Sequence, residues 1–219
     1  MAFQRKHRFY MAEFWETNFQ EKQTMWGLDP AESAISTAAL FQSKGIEKVL
    51  IPGFGYGRNA MAFIEKGMEL VGIEISETAI QLARKHYEER LKVYCGSVCD
   101  MPFDNAQYGG IFCYALIHLL DEAERAKLIR DCYAQLQAGG SMVFVAISTE
   151  TPNYGQGEPL GPNRFRSRHG VNLFYYDKSA IDKEFGPFGL VKAVEIDEPS
   201  IAMGPKPSQR FWEIHCEKK

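Results

Sequence analysis

The sequence predicts an α/β fold: a mainly parallel sheet with helices on both faces and an antiparallel strand pair at its C-terminal end. Three observations carry that prediction. Short apolar runs alternate with helical patterns between Lys48 and Ile147, the rhythm of successive strand–helix–strand units. The run Ser141 to Ile147 (SMVFVAI) is nearly all apolar, which suits a strand covered on both faces. The two last apolar runs are joined by DEPSIAMGPKPSQ, which has no room for a crossover helix and so requires antiparallel pairing.

The elements follow in order. Lys48 to Pro52 is a first strand ending in a glycine-rich loop, and Asn59 to Lys66 reads as a helix capped by Asn59 and stopped by Gly67. Leu70 to Ile75 is a second strand. Ser76 caps a helix reaching about Arg90, with Ala79, Ala83, His86 and Tyr87 on its inner face. Leu91 to Cys95 and Gly110 to Ala115 are the third and fourth strands. Asp121-Glu-Ala-Glu124 resembles a capping box and opens a helix carrying Ile129, Cys132, Tyr133 and Leu136 at helical spacing, ended by Gly139-Gly140. A short helix near Lys178–Phe185 precedes the strands Leu190–Ile196 and Phe211–Cys216.

The chain has 219 residues, 45% hydrophobic and 24% charged, the mix of an ordinary globular domain. One domain over 1–219 is expected, with an aromatic-rich helical cap at 1–40 and a lid-like insertion at 149–177. A net charge of −3 lacks the basic surplus of a nucleic-acid binder. The five cysteines form no CxxC pair, which disfavours a zinc knuckle and fits reduced, buried residues in a cytoplasmic protein. The N-terminal MAFQRKHRFY has no apolar signal core, and Ile111 to Leu120 is too short to span a bilayer, so no membrane association is expected.

The sharpest feature is Ile51-Pro-Gly53-Phe-Gly55-Tyr-Gly57-Arg-Asn59, between a strand and a helix. Such a loop lies at the carboxyl ends of the strands, where open α/β sheets bind ligands. Seventeen residues beyond Gly57, the second strand delivers Glu74, whose carboxylate can accept the hydroxyl hydrogens of a ribose. A dinucleotide fingerprint needs GxGxxG, but Arg58 stands where its third glycine belongs. No GxxxxGK[ST] loop occurs, which argues against a P-loop NTPase.

VLIPGFGYGRNA, VGIEIS, GSVCDMPF, YGGIFCYALIHLL and LQAGGSMVFVAIS, in that order over residues 48–148, resemble the successive motifs of the class I S-adenosylmethionine-dependent methyltransferases. The loop is similar to those of thiopurine S-methyltransferase-like enzymes, and Gly57-Arg-Asn59 to the tellurite-resistance type. The resemblance implies a Rossmann-like fold with a seven-stranded sheet, S-adenosylmethionine as cofactor and a small-molecule acceptor with an S, Se, Te, O or N nucleophile. It implies that Gly53, Gly55 and Gly57 line the methionine half, that Glu74 holds the ribose and that Ile75 packs on the adenine. Ser97 and Val98 would meet the adenine edge, Tyr114 would lie near the methyl being transferred, and Trp26 would serve as an aromatic lid. Two positions depart from the pattern: Ile51 stands where most of the family has an acid, and Ser97 where an Asp is common.

Methyl transfer asks the protein for alignment and exclusion of water. A thiolate or selenide needs no general base, whereas an oxygen or a protonated nitrogen can need one. His118, four residues past Tyr114, is the base candidate, and packing at the start of the next helix is the alternative. No [ND]PP[YF] run follows the fourth strand, which disfavours adenine and glutamine-amide methylation. Arg164, Arg166, Arg168 and His169, interleaved with Phe165 and followed by Phe174, Tyr175 and Tyr176, can present cations and aromatic faces to an acceptor or form a solvated face. Phe9, Tyr10, Phe14, Trp15, Phe19 and Trp26 pose the same choice between core cap and acceptor wall. A non-catalytic S-adenosylmethionine-binding protein and a nucleotide-dependent oxidoreductase are the alternative functions.

Overall fold

A computed structural model describes residues 2–87, 91–199 and 208–219, with side chains from residue 11 onward. Seven strands form one sheet: β1 (Lys48–Pro52), β2 (Glu69–Glu74), β3 (Lys92–Cys95), β4 (Tyr108–Tyr114), β5 (Leu136–Ile147), β9 (Leu190–Glu198) and β10 (Gln209–Glu217), in the order β3-β2-β1-β4-β5-β10-β9. The five strands β3 to β5 along that order pair in parallel, and β10 runs antiparallel to both β5 and β9. The expected mainly parallel sheet with an antiparallel C-terminal pair is therefore present. The connection between the last two strands lies partly outside the described residues.

The period of two along each strand splits the core. Leu50, Ile73, Ile111, Cys113, Met142 and Phe144 face α5 (Glu122–Gln135) and α6 (Lys178–Phe185), meeting Leu128, Ile129, Cys132, Ile181 and Phe185. Val49, Ile51, Phe112, Val143 and Val145 face the other way, toward α2 (Glu32–Ser43), α3 (Ala60–Ile64) and α4 (Glu77–Tyr87). A helix α1 (Ala2–Lys22) precedes them. Cys99, Cys113, Cys132 and Cys216 are buried, Cys95 is exposed, and all five are free.

Local signals set most ends. Ser76 Oγ accepts the Ala79 amide at 3.1 Å, so Ser76 caps α4 as its type and position require. The expected extension of that helix to Arg90 lies outside the described residues. Asp121 and Glu124 make the reciprocal capping box of α5. Gly67 and Met68 donate to the carbonyls of Ile64 and Phe63, closing α3 in the manner of a Schellman motif. Asn59, however, does not cap that helix: its Oδ1 accepts the Ala31 amide from across the fold.

One expectation needs correction. The helix expected to run to Gly139-Gly140 ends at Gln135, because Leu136 turns extended and pairs with Tyr108 at the start of β4. Lys218 Nζ donates to the carbonyls of Tyr133 and Leu136 there, a long-range cap that local periodicity cannot show. The insertion at 149–177 contains a three-stranded antiparallel sheet: β6 (Glu158–Gly161), β7 (Arg164–Arg166) and β8 (Asn172–Phe174). It is anchored by Arg125, buried on α5, which donates to Glu184 at 2.8 Å and lies 3.8 Å from the centroid of the Phe174 ring. Among the described residues no helix is long and apolar enough to cross a membrane.

Candidate active site at the carboxyl edge of the sheet

The ends of β1, β2, β3 and β4 bring the glycine loop, Glu74, Ser97-Val98 and Tyr114 to one edge. The loop is fastened from below by the Gly53 and Phe54 amides, which both donate to the Ile73 carbonyl. Gly53, Gly55 and Gly57 all take positive φ, 73°, 57° and 82°, a backbone region costly for side chains. At Gly57 a Cβ would fall 2.7 Å from the Tyr87 ring, whose hydroxyl donates to the Gly57 carbonyl. At Gly55 a Cβ would meet nothing within 4 Å. Gly57 is therefore closed against the protein, and Gly55 opens outward.

Glu74 is buried, and its carboxylate accepts the amides of Gly55 at 2.7 Å, Ile75 at 2.8 Å and Ser76 at 2.9 Å. Loss of water pushes its pKa above the usual carboxylate range, and the neighbouring charge of Glu16 adds to that rise, while the three amides oppose it. Glu16 comes from α1 and accepts Ser76 Oγ at 2.7 Å and Thr78 Oγ1 at 2.5 Å. Burial opposes its ionisation, but these hydrogen bonds win and hold its pKa below the ordinary value. The sequence held no signal for Glu16, since one acid among several on a helix becomes special only through what it meets.

Trp26 is half exposed and stacks on Tyr56 of the loop with an interplanar angle of 11°. The Tyr56 hydroxyl donates to the Gly27 carbonyl at 2.7 Å, and Phe19 and Trp15 of α1 extend the aromatic group. Phe14 packs edge-on to Trp15. The Phe9 and Tyr10 side chains lie outside the described residues. Ile75 is half-buried and Val98 buried beyond the loop. Ser97 Oγ accepts the Cys99 amide at 3.2 Å, capping a short 3-10 turn. Ile51, standing where an acid is common, is buried in the core against α2 and α3.

Tyr114 ends β4 with its ring 6.1 Å from that of Phe211 and 5.9 Å from the Arg58 guanidinium. Burial pushes its phenol pKa well up, and the Glu198 carboxylate adds to the rise. His118 is buried on a 3-10 turn, and its Nδ1 accepts the Ile147 amide at 3.2 Å. Loss of water lowers its pKa to about 4. With Nδ1 occupied as an acceptor, the neutral ring carries its hydrogen on Nε2 and has no lone pair left to take a proton. This environment is the one that the packing alternative for His118 requires. In the insertion, Arg166 is matched within its own hairpin by Glu158 and Asn172.

Residues 49–140 match the family model described as a methyltransferase domain. A ubiquinone biosynthesis O-methyltransferase of Coxiella burnetii is 26% identical over 109 residues, 48% of this chain and 46% of that enzyme. This chain therefore aligns to about half the length of that relative. A probable thiol methyltransferase 2 of Arabidopsis thaliana is 21% identical over 88% of this chain and 79% of its own length. Among solved structures, the Burkholderia thailandensis 1,6-didemethyltoxoflavin-N1-methyltransferase superposes with a TM-score of 0.74 at 13% identity, over 98% of this chain and 90% of its own. TehB from Haemophilus influenzae gives 0.65 at 14% identity, over 94% and 67%. Over residues 49–140 the chain is thus similar to a methyltransferase domain, its relatives bear methyltransferase names, and its fold is shared with S-adenosylmethionine-dependent methyltransferases.

Proposed function

We propose that this protein transfers a methyl group from S-adenosylmethionine to a small-molecule acceptor. The observation that carries this reading is the buried Glu74 carboxylate at the end of β2, in contact with the Gly55 amide of a loop whose Gly55 faces open space. A carboxylate offers about four acceptor positions. Three are taken by amides, so a ribose hydroxyl would take the fourth or share the one Gly55 holds. Gly53, Gly55 and Gly57 would admit the methionine half to the backbone, Ile75 would pack on the adenine, and Ser97 and Val98 would meet its edge. Trp26 and Tyr56 would close over the bound donor, excluding water.

The donor supplies a carbon already activated by a sulfonium. The protein's part is to align the acceptor with that carbon and keep water out, and Tyr114 at the end of β4 would stand near the place where the two meet. Relatives and neighbours bearing O-, thiol- and N-methyltransferase names support an acceptor of small size and leave its nucleophilic atom open.

Calorimetry with S-adenosylmethionine and with NAD tests the reading. We expect saturable binding of the methyl donor and none of the dinucleotide. Binding of NAD alone, or of neither, overturns it.

A further inference from the structure

The donor reading gives α1 no task, yet this helix reaches the donor site at two points. The first is Glu16. Its Oε2 accepts Ser76 Oγ at 2.7 Å and the Thr78 amide at 3.2 Å, and its Oε1 accepts Thr78 Oγ1 at 2.5 Å. Gln20, one turn on, donates to Oε1 at 2.9 Å and steadies the carboxylate from its own helix. The groups so held open α4, where exposed amides favour an anion. The Ser76 hydroxyl also accepts the Ala79 amide, and the Ser76 amide donates to Glu74 Oε1. Glu74 Oε2 in turn accepts the Gly55 amide. A chain of hydrogen bonds therefore runs from α1 through the turn at residues 74–76 to the glycine loop.

The second point is aromatic. Trp15 and Phe19 lie one turn apart, with Glu16 beside them on the same side of the helix. Phe19 meets the Tyr56 ring edge-on at 6.1 Å, and Trp15 lies 6.2 Å from Trp26, which stacks on Tyr56. Phe19, Tyr56 and Ala79 make a small cluster, with Trp15, Met25 and Leu82 against it, apart from the two clusters that fill the faces of the sheet. A helix held by so small a cluster detaches at lower cost than one seated in the main core, so its hydrogen bonds to α4 weigh in where it sits. Docked α1 leaves the donor's place open. Glu16 ends on Ser76 and Thr78, and a Cβ at Gly55 still meets nothing within 4 Å.

We propose that Glu16 is a positioning residue for the methyl donor: it holds the Glu74–Ser76 turn from α1, so that docking of α1 and binding of the donor support each other. The proposal rests on the methyltransferase reading and adds this helix to its donor site. Glu16 touches neither reactant. It orients Ser76, and the Ser76 amide helps to aim the Glu74 carboxylate at the ribose. Without Glu16 the turn loses its outer support and α1 is left to its small cluster. Coupling between two equilibria is reciprocal, so a bound donor strengthens docking by the same factor by which docking strengthens binding.

The test pairs calorimetry with amide hydrogen exchange on the full chain, with and without S-adenosylmethionine, for the wild type, Glu16→Ala, Glu16→Gln and Glu13→Ala. Glu13 is exposed on the same helix and serves as the control. In the wild type, we expect saturating donor to slow exchange of the amides at residues 11–22 by about fivefold or more. In Glu16→Ala, the donor's Kd should rise by about fivefold or more, and at matched saturation the slowing in α1 should fall below about twofold. Glutamine keeps an oxygen for the two hydroxyls, so Glu16→Gln should retain more of both effects than alanine, and Glu13→Ala should keep both in full. A merely structural role for Glu16 would lower the melting temperature and leave Kd and the donor's effect on α1 exchange in place, and that result overturns the proposal. Tighter donor binding by Glu16→Ala overturns it too, because α1 would then be a shutter over the site. So does wild-type α1 exchange that ignores the donor. Should Glu16→Ala fail to fold, as judged by its melting temperature, Glu16→Gln must show the loss of affinity and of α1 protection together. Failure of the wild type to bind the donor instead strikes the methyltransferase reading itself.

Discussion

Water is withheld from both Glu74 and His118, and the two respond according to what replaces it. The Glu74 carboxylate is left with three amides and a like charge nearby, so it is held by the loop it in turn holds. We expect Glu74→Ala to weaken S-adenosylmethionine binding by about 1–3 kcal/mol, through loss of charge-assisted hydrogen bonds, as read by calorimetry. His118 has its pKa lowered to about 4, below the value of about 6.5 expected in the unfolded chain. The folded state therefore binds fewer protons than the unfolded state between those values. Its stabilising effect is complete above about pH 6.5 and is lost as pH falls toward 4, by about 3 kcal/mol at most. His118→Asn, which can still accept the Ile147 amide, should flatten that part of the melting-temperature profile without abolishing turnover.

At the scale of elements, the glycine loop separates two kinds of substitution. Gly57→Ala drives a methyl into the Tyr87 ring at positive φ and should lower the melting temperature. Gly55→Ala meets no protein atom within 4 Å, so its cost is mainly the backbone strain of about 1 kcal/mol. It should weaken donor binding far more than it lowers stability. If both variants lost stability and affinity in step, Gly55 would not face the donor. On α5, Asp121→Ala removes one half of a capping box and should cost about 1 kcal/mol in chemical denaturation, leaving donor affinity unchanged because α5 packs on the face away from the loop.

For the molecule as a whole, ligand linkage supplies a measure independent of turnover. A donor present at 100 times its dissociation constant stabilises the folded state by about 2.7 kcal/mol. For a domain of this size that corresponds to a rise of roughly 5–11 °C in melting temperature. We expect that rise with S-adenosylmethionine and none with NAD. A protein whose melting temperature ignored the methyl donor would not be carrying it.

The amino-acid sequence by itself determined the strand–helix rhythm, the antiparallel C-terminal pair, the caps at Ser76 and Asp121, and the juxtaposition of a glycine loop with Glu74. Each of these depends on residues within a turn or two of one another, or on a loop tied to the next strand, so local chemistry writes them out. Tertiary structure alone decided that Leu136 leaves its helix to pair with Tyr108, and that residues 158–174 form a sheet anchored on Arg125. It also decided that Asn59 serves Ala31, that Glu16 reaches Ser76, and that Glu198 comes to Ser33. Ser33 and Glu198 lie 165 residues apart in sequence. Their meeting is fixed by the return of β10 and by the burial of a carboxylate that must find donors once water is gone. No pattern of neighbouring residues can announce such a contact.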